Sequence, residues 1–596
     1  MDFSLLKAII LWLSLTSLAY SIGVEKLPEN IEWQTGDPVK EGLIASKEAK
    51  VGGKVTTFVS SFPLTLRWVG PDSNGAFNNY LYDLTIPLVI EHPNTGAWIP
   101  GLASHWAVDA NKKTVYYKLN PTVKWSDGEK VTADDYIFML NFYRSKFITA
   151  PWYNQYYGEE IETIQKFVAK DGKEVVAITL PIPKAEVIYL TGNLRPLPEH
   201  FYKLDKNFVR DYNWKKPPQT GAYAISKVRK GKSITFKRVK NWWGEKHPWF
   251  QNRFNAKKVE FTVIRDFNTA FEYFKKGKLD FFPLTLPEYW HERAKGGDFA
   301  TGKIRKVVAY NDRPQSDQLI IMNRNYKFFK DKNIRIAFQH AINLDKVIKR
   351  VLRGDYERQP SISYGFGDYS NTEIKPRSFD LERANKLLDA AGWQKRGPDG
   401  IRVKNGEKLS VPLVYRAKIH EERYVVVRED AKKAGIDIQL KFMDPSTGFK
   451  FIRDKKSNFT AMGWAPYNYP QYYSRYHSDN ANKRQTNNIS NTASPELDKL
   501  IEGYRSSTDR KERTATAKKI QQWVHDDAAE MPTFLVPYYR FGHWWHMKFP
   551  QTLTTKFNDS VSLFKWDDGG TFWIDKKNKP KFGKEVVVVD ETYRRK

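Results

Sequence analysis

The sequence predicts a mixed α/β protein with two to four domains or two large lobes. Short apolar strands alternate with amphipathic helices along the chain, which is typical of that fold class. The chain has 596 residues, of which 41% are hydrophobic and 15% aromatic, so it can bury a sizeable core. It shows no repeat of fixed period and no long low-complexity tract. The composition therefore argues against a disordered or repeat protein.

Local patterns predict strands, a hairpin and a capped helix in the first half of the chain. Residues 55–59 and 115–119 alternate between two faces, as strands do. Residues 222–228 and 233–239 flank a glycine-containing turn and predict a β-hairpin. Thr132 is placed to cap a helix with an acidic first turn.

Further helices follow along the chain. Residues 268–276, 333–342 and 517–528 each place apolar side chains at helical spacing. Asp380 is placed to cap another helix, which ends at Gly392. With the short strands between them, these helices place the chain in the α/β or α+β class.

The N-terminus has the pattern of an export signal. Lys7 precedes an apolar run over residues 8–15, and small residues stand at Ala19 and Ser21, the positions that a signal peptidase reads. We expect a signal peptide over residues 1–21, cleaved near Ser21, and a periplasmic mature protein. A membrane anchor is the alternative, but the run is short for a span of about 20 residues.

Cysteine is absent from the sequence. This excludes disulfides, thiolate metal sites, cysteine nucleophiles and a lipid-modified N-terminal cysteine. An exported protein without disulfides must rely on its hydrophobic core, which a chain of this size can build. We therefore expect a soluble mature protein.

The chain is strongly basic. It has 97 Lys and Arg residues against 68 Asp and Glu residues, a formal net charge of +29. The basic residues are spread along the chain without an arginine-rich arm, and the export signal leads away from cytoplasmic nucleic acid, so we predict no nucleic-acid partner. The simpler interpretation of this charge is a solvated basic surface. The more specific interpretation is that the basic residues bind an anionic ligand or an anionic envelope surface.

Several ordered segments carry a resemblance to a known family. Residues 99–106 read Ile-Pro-Gly-Leu-Ala-Ser-His-Trp, and residues 123–135 continue as Val-Lys-Trp-Ser-Asp-Gly-Glu-Lys-Val-Thr-Ala-Asp-Asp. Five shorter matches follow in order, at residues 220–223, 241–244, 277–280, 335–343 and 384–393. The ordered set resembles the family 5 extracellular solute-binding proteins, the peptide-binding components of ABC importers, over residues 52–550. The polar stretch after residue 464 resembles the subgroup of microcin- and murein-peptide-type binders.

The resemblance implies a two-lobed binding protein without catalysis or a cofactor. A first lobe with an extra subdomain would span residues 22–305 and return at residues 540–596, and a second lobe would span residues 306–539. The chain would cross twice between the lobes and form a hinge, and a ligand bound in the cleft would favour the closed form. The implied partners are a peptide-like small ligand and an inner-membrane ABC permease, and we expect a monomer.

The loop after Gly463 is the main candidate site. In peptide binders of the family the corresponding loop lines the cleft, and an Asp shortly after the Trp pairs with the free amino group of the peptide. Here Ala465 and Pro466 occupy that region, which puts the usual clamp in doubt. We predict that Trp464 and Tyr467 contact the ligand. The alternative is an ordinary buried Trp in a surface loop.

Six further ligand contacts are predicted: Phe58, Ser60, Asn323, Arg324, Arg475 and Asn488. The first four stand at the ends of apolar strands, where polar groups can face a cleft. The Arg475 guanidinium could hold a carboxylate with two hydrogen bonds, and the Asn488 amide could bind a peptide or a sugar. The missing Asp, the basic chain and the two arginines favour an acidic ligand such as a murein-derived peptide.

Three other patterns have simpler interpretations, so we predict no catalytic residue and no metal site. Residues 125–128 contain Ser and Asp, but a turn needs the same residues. His543 and His546 could ligate a metal on a helix, but they stand in a strand-like stretch. The adjacent carboxylates at residues 159–160 and 526–527 are interpreted as surface charge rather than as a glycosidase pair.

The sequence leaves other functions open. An envelope hydrolase acting on glycans or peptides and a basic tethering protein without a small ligand are the alternatives to a peptide-binding protein. The ligand class also stays open, because the resembled family includes binders of nickel complexes, haem and oligosaccharides. Peptide recognition often uses backbone groups, which leave no signature in residue types.

Overall fold

The structure is a computed structural model that describes residues 27–73, 75–314, 316–465, 468–557 and 562–594. The signal peptide predicted over residues 1–21 lies outside these ranges. The fold is mixed α/β, with separate hydrophobic cores for a discontinuous first lobe and for a second lobe. Within the described ranges, no helix combines the length and the apolar character that a membrane crossing requires.

The first lobe is built around a four-stranded sheet that joins distant parts of the chain. Strand Lys54–Val59 pairs in parallel with Lys258–Val263, and the hairpin of Ser233–Arg238 and Tyr223–Arg229 completes the sheet. The strand and the hairpin that the sequence predicts here are both confirmed. Val55 is fully buried, because the alternating side chains of its strand face the core.

A second, antiparallel sheet shares the core of the first lobe, and the extra subdomain stays a prediction. The strand order of this sheet is Ala103–Val108, Thr114–Leu119, Glu174–Thr179 and Thr163–Val168. The predicted alternation is confirmed, because the odd-numbered side chains of Thr114–Leu119 are buried. The helix Ala133–Arg144 packs against this sheet. It begins after Thr132, as predicted, and the Thr132 N–H donates to the Asp135 carboxylate at 2.9 Å.

A third sheet brings the C-terminal segment back to the first lobe. Strand Tyr539–Trp544 lies between Phe281–Pro283 and Ile304–Ala309, and Val587–Asp590 adds to the far side of Ile304–Ala309 in parallel. The first lobe is therefore discontinuous in sequence. Gly570, in the same C-terminal segment, accepts a hydrogen bond from the Phe254 N–H at 2.7 Å and has a φ of 70°.

The second lobe is a five-stranded sheet covered by helices on both faces. Its strand order is Asp437–Phe442, Ser410–Tyr415, Phe459–Trp464, Asp317–Met322 and Glu530–Pro532. Strand Asp317–Met322 is almost wholly buried and contributes to the cores on both faces, so its last four residues, Leu319 to Met322, are all apolar. The predicted helices occur here as Lys332–Ala341, Leu381–Ala390 and Arg510–Asp527, and Asp380 caps the second of them as predicted.

The chain passes between the lobes at two places. The first connection joins strands Ile304–Ala309 and Asp317–Met322, and the second joins Phe534–Leu535 to Tyr539–Trp544. Both connections are short, and they are where a hinge would lie. The lobe limits given by the sequence analysis stay predictions.

The remaining elements are short or lie on the surface of the two lobes. The other α-helices are Pro38–Glu41, Ala76–Asp83, Pro151–Gln155, Val187–Gly192, Phe208–Asp211, Phe267–Lys275, Gly297–Ala300, Leu344–Arg350, Glu421–Lys433, Pro445–Arg453, Tyr473–Tyr476 and Pro495–Ser506. π-Helical turns occur at Tyr156–Glu160 and Tyr289–Arg293. 3₁₀ turns occur at Trp243–Lys246, Gly367–Tyr369, Lys418–His420 and Ser478–Asn480. Short strand pairs are Val89–Glu91 with Trp98–Pro100, Glu357–Arg358 with Phe534–Leu535, Val403–Lys404 with Glu407–Lys408, and Met547–Lys548 with Trp573–Ile574.

We predict that Gly570→Ala destabilises the protein more than Gly400→Ala does. Both glycines have a positive φ, 70° and 78°, so both substitutions strain the backbone by about 1–2 kcal/mol. A Cβ at Gly570 would also lie 2.7 Å from the Phe254 backbone nitrogen, whereas a Cβ at Gly400 would have no neighbour within 4 Å. We expect an extra loss of about 1–3 kcal/mol for Gly570→Ala in urea unfolding. Equal losses for the two variants would show that the C-terminal segment does not pack tightly on the first lobe.

Candidate ligand-binding cleft

Trp464 ends a strand of the second lobe and lines a pocket there. Strand Phe459–Trp464 runs antiparallel to its neighbour, so Trp464 lies opposite Asp317, the first residue after the crossing from the first lobe. The pocket is lined by Asp317, Ser363, Phe366, Trp464, Ala465, Tyr469, Gln471, Ser474, Arg475 and Asn487. The Trp464 indole nitrogen is buried and has no hydrogen-bond partner among the described residues. A ligand acceptor could therefore use this donor.

Arg475 lies in the same pocket but is held by two carboxylates. Its Nη1 donates to Asp317 at 2.7 Å and its Nη2 donates to Glu530 at 3.0 Å, while the Tyr476 hydroxyl also donates to Glu530 at 2.7 Å. Burial opposes the charged form, but Tyr476, Glu530 and Asp317 outweigh it and raise the pKa of Arg475. Burial also raises the pKa of Glu530, against the attraction of Arg475. The guanidinium fork is thus occupied and does not offer the two-point clamp for a ligand carboxylate that the sequence suggests.

The structure places Asn323 and Arg324 away from Trp464. They follow the opposite end of strand Asp317–Met322, and a six-residue strand separates its ends by roughly 20 Å. The Asn323 side-chain oxygen accepts from Asn491 at 2.9 Å, and Arg324 approaches Asp527 at 3.6 Å. These two residues therefore do not join the pocket beside Trp464.

Asn488 is fully buried and serves the fold of its own loop. Its amide nitrogen donates to the carbonyls of Thr492 at 2.8 Å and His477 at 3.2 Å. The neighbouring Asn487 lines the Trp464 pocket instead. The sequence carries no signal that separates the two, because the segment is irregular and has no periodicity.

Phe58 and Ser60 lie at the end of a first-lobe strand, as predicted from the strand pattern. The Phe58 ring stacks on Phe282 with centroids 5.6 Å apart, and Ser60 is exposed. The adjacent Ser61 reaches the second lobe, where its hydroxyl lies 3.1 Å from that of Ser446. Ser61 and Ser446 border a cavity of about 430 Å³ between the lobes. Its other lining residues are Phe62, Pro63, Leu64, Trp214, Lys230, Arg265 and Asp444.

The loop after Trp464 touches the first lobe. Pro466 and the predicted contact Tyr467 lie outside the described residues. The Asn468 amide donates to the Glu91 carboxylate, and the Tyr469 ring meets Tyr189 edge-on at 5.4 Å. The loop therefore spans the cleft from the second lobe to the first.

Aromatic and charged residues also cluster inside the first lobe. The Arg195 guanidinium lies between the Tyr82 and Trp566 rings, 3.1 Å and 3.9 Å from their centroids. Burial raises the pKa of Asp83 to about 7, although Arg195 and Lys565 oppose this shift. Burial also raises the pKa of Glu91. The sequence analysis missed both carboxylates, because neither belongs to a motif.

Ion pairs link the two lobes at a second place. Glu160 pairs with Arg505, and Lys184 donates to the Arg505 carbonyl at 2.9 Å. Glu186 pairs with Arg513, a buried residue of the second lobe. The lobes are therefore in contact in this structure.

The interpretation of the paired carboxylates as surface charge is wrong for two of the four. Glu160 is largely shielded in the inter-lobe contact, with its side chain 17% exposed. Asp527 is buried and accepts from Arg335 at 2.8 Å. Both carboxylates have cationic partners from distant parts of the chain, which adjacency in the sequence does not reveal.

The turn motif and the two histidines that the sequence analysis considered have structural roles. Residues 125–128 form the predicted turn, in which the Gly128 N–H donates to the Trp125 carbonyl at 3.0 Å. His543 lies in a strand and is buried, while His546 lies beyond the strand and pairs with Asp280 at 2.7 Å. No group of three or more metal-ligating side chains was found in the part of the chain that the structure describes.

Two lobes joined by two short connections, with a loop of one lobe lying against the wall of the other, define a two-lobed solute-binding protein of the periplasmic class. The family model of the bacterial extracellular solute-binding proteins, family 5 (middle region), matches residues 97–485. The chain belongs to this family. It is therefore a periplasmic transport component and not an enzyme.

Relatives agree with this assignment. The oligopeptide-binding protein AppA of Bacillus subtilis is 26% identical over 460 residues, which cover 73% of this chain and 76% of AppA. The structure of AppA with a nonapeptide has a TM-score of 0.75 at 22% identity and covers 89% of this chain and 100% of that chain. DppA of Helicobacter pylori with the peptide STSA has a TM-score of 0.72 at 20% identity, covering 89% and 99%. A mannohexaose-bound oligopeptide-binding protein of Thermotoga maritima has a TM-score of 0.73 at 18% identity, covering 89% and 99%.

We predict that Arg475→Ala costs about 3–5 kcal/mol of folding free energy, because it leaves Asp317 and Glu530 buried without their cation. Arg324→Ala is the matched control. Its side chain is 25% exposed, and its partner Asp527 keeps Arg335, so we expect a loss below about 1 kcal/mol. Urea unfolding followed by tryptophan fluorescence measures both. A stable Arg475→Ala variant that has lost ligand binding would restore Arg475 as a ligand contact.

Proposed function

We propose that the protein captures peptides or peptide conjugates between its lobes and delivers them to an inner-membrane ABC permease. The observation that carries this proposal is the placement of Trp464. Its indole N–H is buried without a partner among the described residues, at the start of a loop that contacts the first lobe. A peptide carbonyl is the acceptor that such a donor fits, and backbone contacts of this kind suit binders of varied peptides. The relatives AppA and DppA, described with peptides, support the same ligand class.

The shape of the cleft also favours an extended ligand. The Trp464 pocket and the cavity beside Ser61 both adjoin the boundary between the lobes. Aromatic rings line this boundary at Tyr469 and Tyr189, and Trp214 stacks on Phe62 with centroids 5.7 Å apart. Rigid aromatic surfaces with polar edges bind chains of varied sequence at little entropic cost.

Within this class we propose acidic, murein-derived peptides as the finer candidates. Arg324 and Arg475 give this idea no support, since both are paired inside the second lobe. Its support comes from the net charge of +29 and from Lys230 and Arg265, which line the cavity between the lobes.

An oligosaccharide is the second candidate ligand. The stacked rings of Phe62 and Trp214, inclined by 18°, form a flat apolar surface of the kind on which a sugar ring can lie. The likeness to a mannohexaose-bound protein supports this alternative. We further propose that the mature protein is a monomer and begins after a signal peptide cleaved near residue 21.

We predict that Trp464→Ala weakens peptide binding by about 1–3 kcal/mol without unfolding the protein. The residue is only partly buried and ends its strand, so the core of the second lobe should survive its loss. Isothermal titration with a peptide that binds the wild type measures the affinity. Trp523→Ala, on a surface helix of the same lobe, is the control and should bind normally. Unfolding of Trp464→Ala would instead identify Trp464 as a core residue.

We predict that an acidic murein tripeptide binds more tightly than a neutral tripeptide of the same length. The expected reason is attraction to the cations of the inter-lobe cavity, which Lys230→Gln should reduce. Titrations at low and high salt distinguish a direct ion pair between ligand and protein from attraction by the diffuse field of the basic surface. Salt weakens the diffuse field, because it screens exposed charges over about 8 Å. Equal affinities, or tighter binding of a cationic peptide, would contradict the acidic preference.

A further inference from the structure

The C-terminal segment of the first lobe carries an exposed run of lysines. Residues 576–584 follow the short strand Trp573–Ile574 and contain five lysines and no acidic residue. All five side chains belong to exposed residues: Lys576, Lys577, Lys579, Lys581 and Lys584. The excess of positive charge, which is spread over the chain as a whole, is therefore locally dense in this segment.

A row of lysines on the neighbouring sheet extends this charge. Lys54, Lys258 and Lys237 stand opposite one another on three adjacent strands, and all three are exposed. Like charges that face each other across strands destabilise a sheet, so the fold gains nothing from this row. Gly53 connects the row to the segment, because a Cβ at Gly53 would lie 2.7 Å from the Cβ of Ile574. The row and the five lysines of residues 576–584 together are called the basic pole.

The carboxylates that stand beside these lysines have partners of their own. Glu260 pairs with Lys54, and Glu585 approaches the buried Lys306 at 3.4 Å. Asp575 accepts from two backbone N–H groups of its own turn, at 3.0 Å and 3.1 Å. Among the residues that the structure describes, the five lysines of the segment form no ion pair. Their charges are therefore available to an external anion.

The basic pole lies at the end of the first lobe that is remote from the cleft. Strand Lys54–Val59 begins at the pole and leads to Ser61 at the inter-lobe cavity, and a six-residue strand separates its ends by roughly 20 Å. Strand Ile304–Ala309 has the same orientation. The Gly583 N–H donates to the Thr301 carbonyl at 3.0 Å before this strand begins, and the chain leaves for the second lobe after it ends. A partner bound at the pole would therefore leave the cleft and the connections between the lobes free.

Apolar side chains adjoin the lysines. Val587 and Val589 lie on one side of the edge strand of their sheet and are 44% and 54% exposed. The half-buried Phe582 ring meets Trp545 edge-on with centroids 5.9 Å apart. Cations beside exposed apolar groups suit the surface of an anionic membrane, where lysines meet lipid phosphates and apolar side chains reach the acyl boundary. A soluble polyanion would use the lysines alone.

We propose that the basic pole binds a membrane surface rich in anionic phospholipids, with the cleft directed away from the lipid. The proposal goes beyond the proposed function and does not depend on which ligand the cleft takes. A lysine near such a surface contributes about five-fold in affinity, and the attraction falls off within about 8 Å at physiological salt. Binding is therefore reversible and weakens as the salt concentration is raised.

The experiment is co-sedimentation of the full mature protein with vesicles of phosphatidylcholine alone or of an equal mixture of phosphatidylcholine and phosphatidylglycerol. Wild type should bind only the mixed vesicles. Its binding should disappear between about 0.1 M and about 1 M salt, because the screening length falls from about 10 Å to about 3 Å. The segment variant should bind at least about 100-fold more weakly than wild type. It combines Lys576→Gln, Lys577→Gln, Lys579→Gln, Lys581→Gln and Lys584→Gln.

A matched control removes the same charge from the second lobe. It combines five substitutions at exposed positions of second-lobe helices: Lys332→Gln, Lys349→Gln, Lys432→Gln, Lys518→Gln and Lys519→Gln. The two five-fold variants have equal net charge, so they differ only in where charge is lost. The control should bind mixed vesicles within about five-fold of wild type, the contribution of one lysine.

A row variant tests the pole without touching the C-terminal segment. Lys237→Gln combined with Lys258→Gln should weaken binding to mixed vesicles about 10-fold or more. It should unfold at no lower urea concentration than wild type, because it removes like charges that face each other.

Each outcome decides for or against the membrane site. A loss of binding in the segment variant but not in the control, with unchanged urea unfolding, supports it. Wild type that does not bind mixed vesicles at low salt overturns it, and so does an equal loss in both five-fold variants, which would assign binding to net charge. If the segment variant does not fold, undiminished vesicle binding by the row variant refutes the site. If soluble polyphosphate displaces the protein at the same phosphate concentration as the vesicles present, the partner is a soluble polyanion and the membrane proposal fails.

Discussion

The pairing of Arg475 with Asp317 and Glu530 organises the second-lobe side of the cleft. Asp317 is the first residue of the strand that receives the chain from the first lobe, and Glu530 begins the strand that leads back. One guanidinium therefore ties together the entry to and the exit from this lobe. A buried ion pair of this kind adds little net stability. Removing one partner nevertheless destabilises the fold strongly, because the other charge stays buried without a counter-ion. Trp464 lies opposite Asp317, so the pocket that these residues line takes its geometry from the same contact.

The two lobes contribute different chemistry to the cleft. The second lobe offers the Trp464 indole and a loop without acidic residues, and the first lobe offers the Glu91 carboxylate and the Tyr189 ring, which that loop contacts. Groups that recognise a ligand only when both lobes reach it favour the closed form, which is the condition for a population shift. The ion pairs of Glu160 and Glu186 with second-lobe arginines stabilise the same arrangement.

Local elements could be predicted from the sequence because their causes are local. Alternation identified the strand Thr114–Leu119, and the cap residues Thr132 and Asp380 were correctly placed. The family resemblance supplied the two-lobed fold. The candidate site was harder to predict from the sequence, because the partners of Arg475 are 158 and 55 residues away in the chain. No pattern of residue types indicates which arginine is already paired.

The lack of a local sequence signal for long-range contacts also explains the other differences between the predicted and the observed site. Asn487 and Asn488 exchange roles because their segment is irregular, so no period tells which side chain faces the pocket. Asn323 and Arg324 were assigned to a strand end correctly, but only the antiparallel pairing shows that this end is the far one.

The return of the C-terminal segment has a consequence for the order in which the molecule forms. Strand Tyr539–Trp544 lies between two strands that precede it by more than two hundred residues, and Val587–Asp590 pairs in parallel with one of them. The first lobe is therefore the earliest part of the chain to emerge and the last to be completed. Pairings of such long range form slowly. The unfinished sheet exposes unpaired strand edges until residues 587–590 are available for pairing. The first-lobe side of the cleft is therefore complete only after residues 587–590 have paired with the strand Ile304–Ala309.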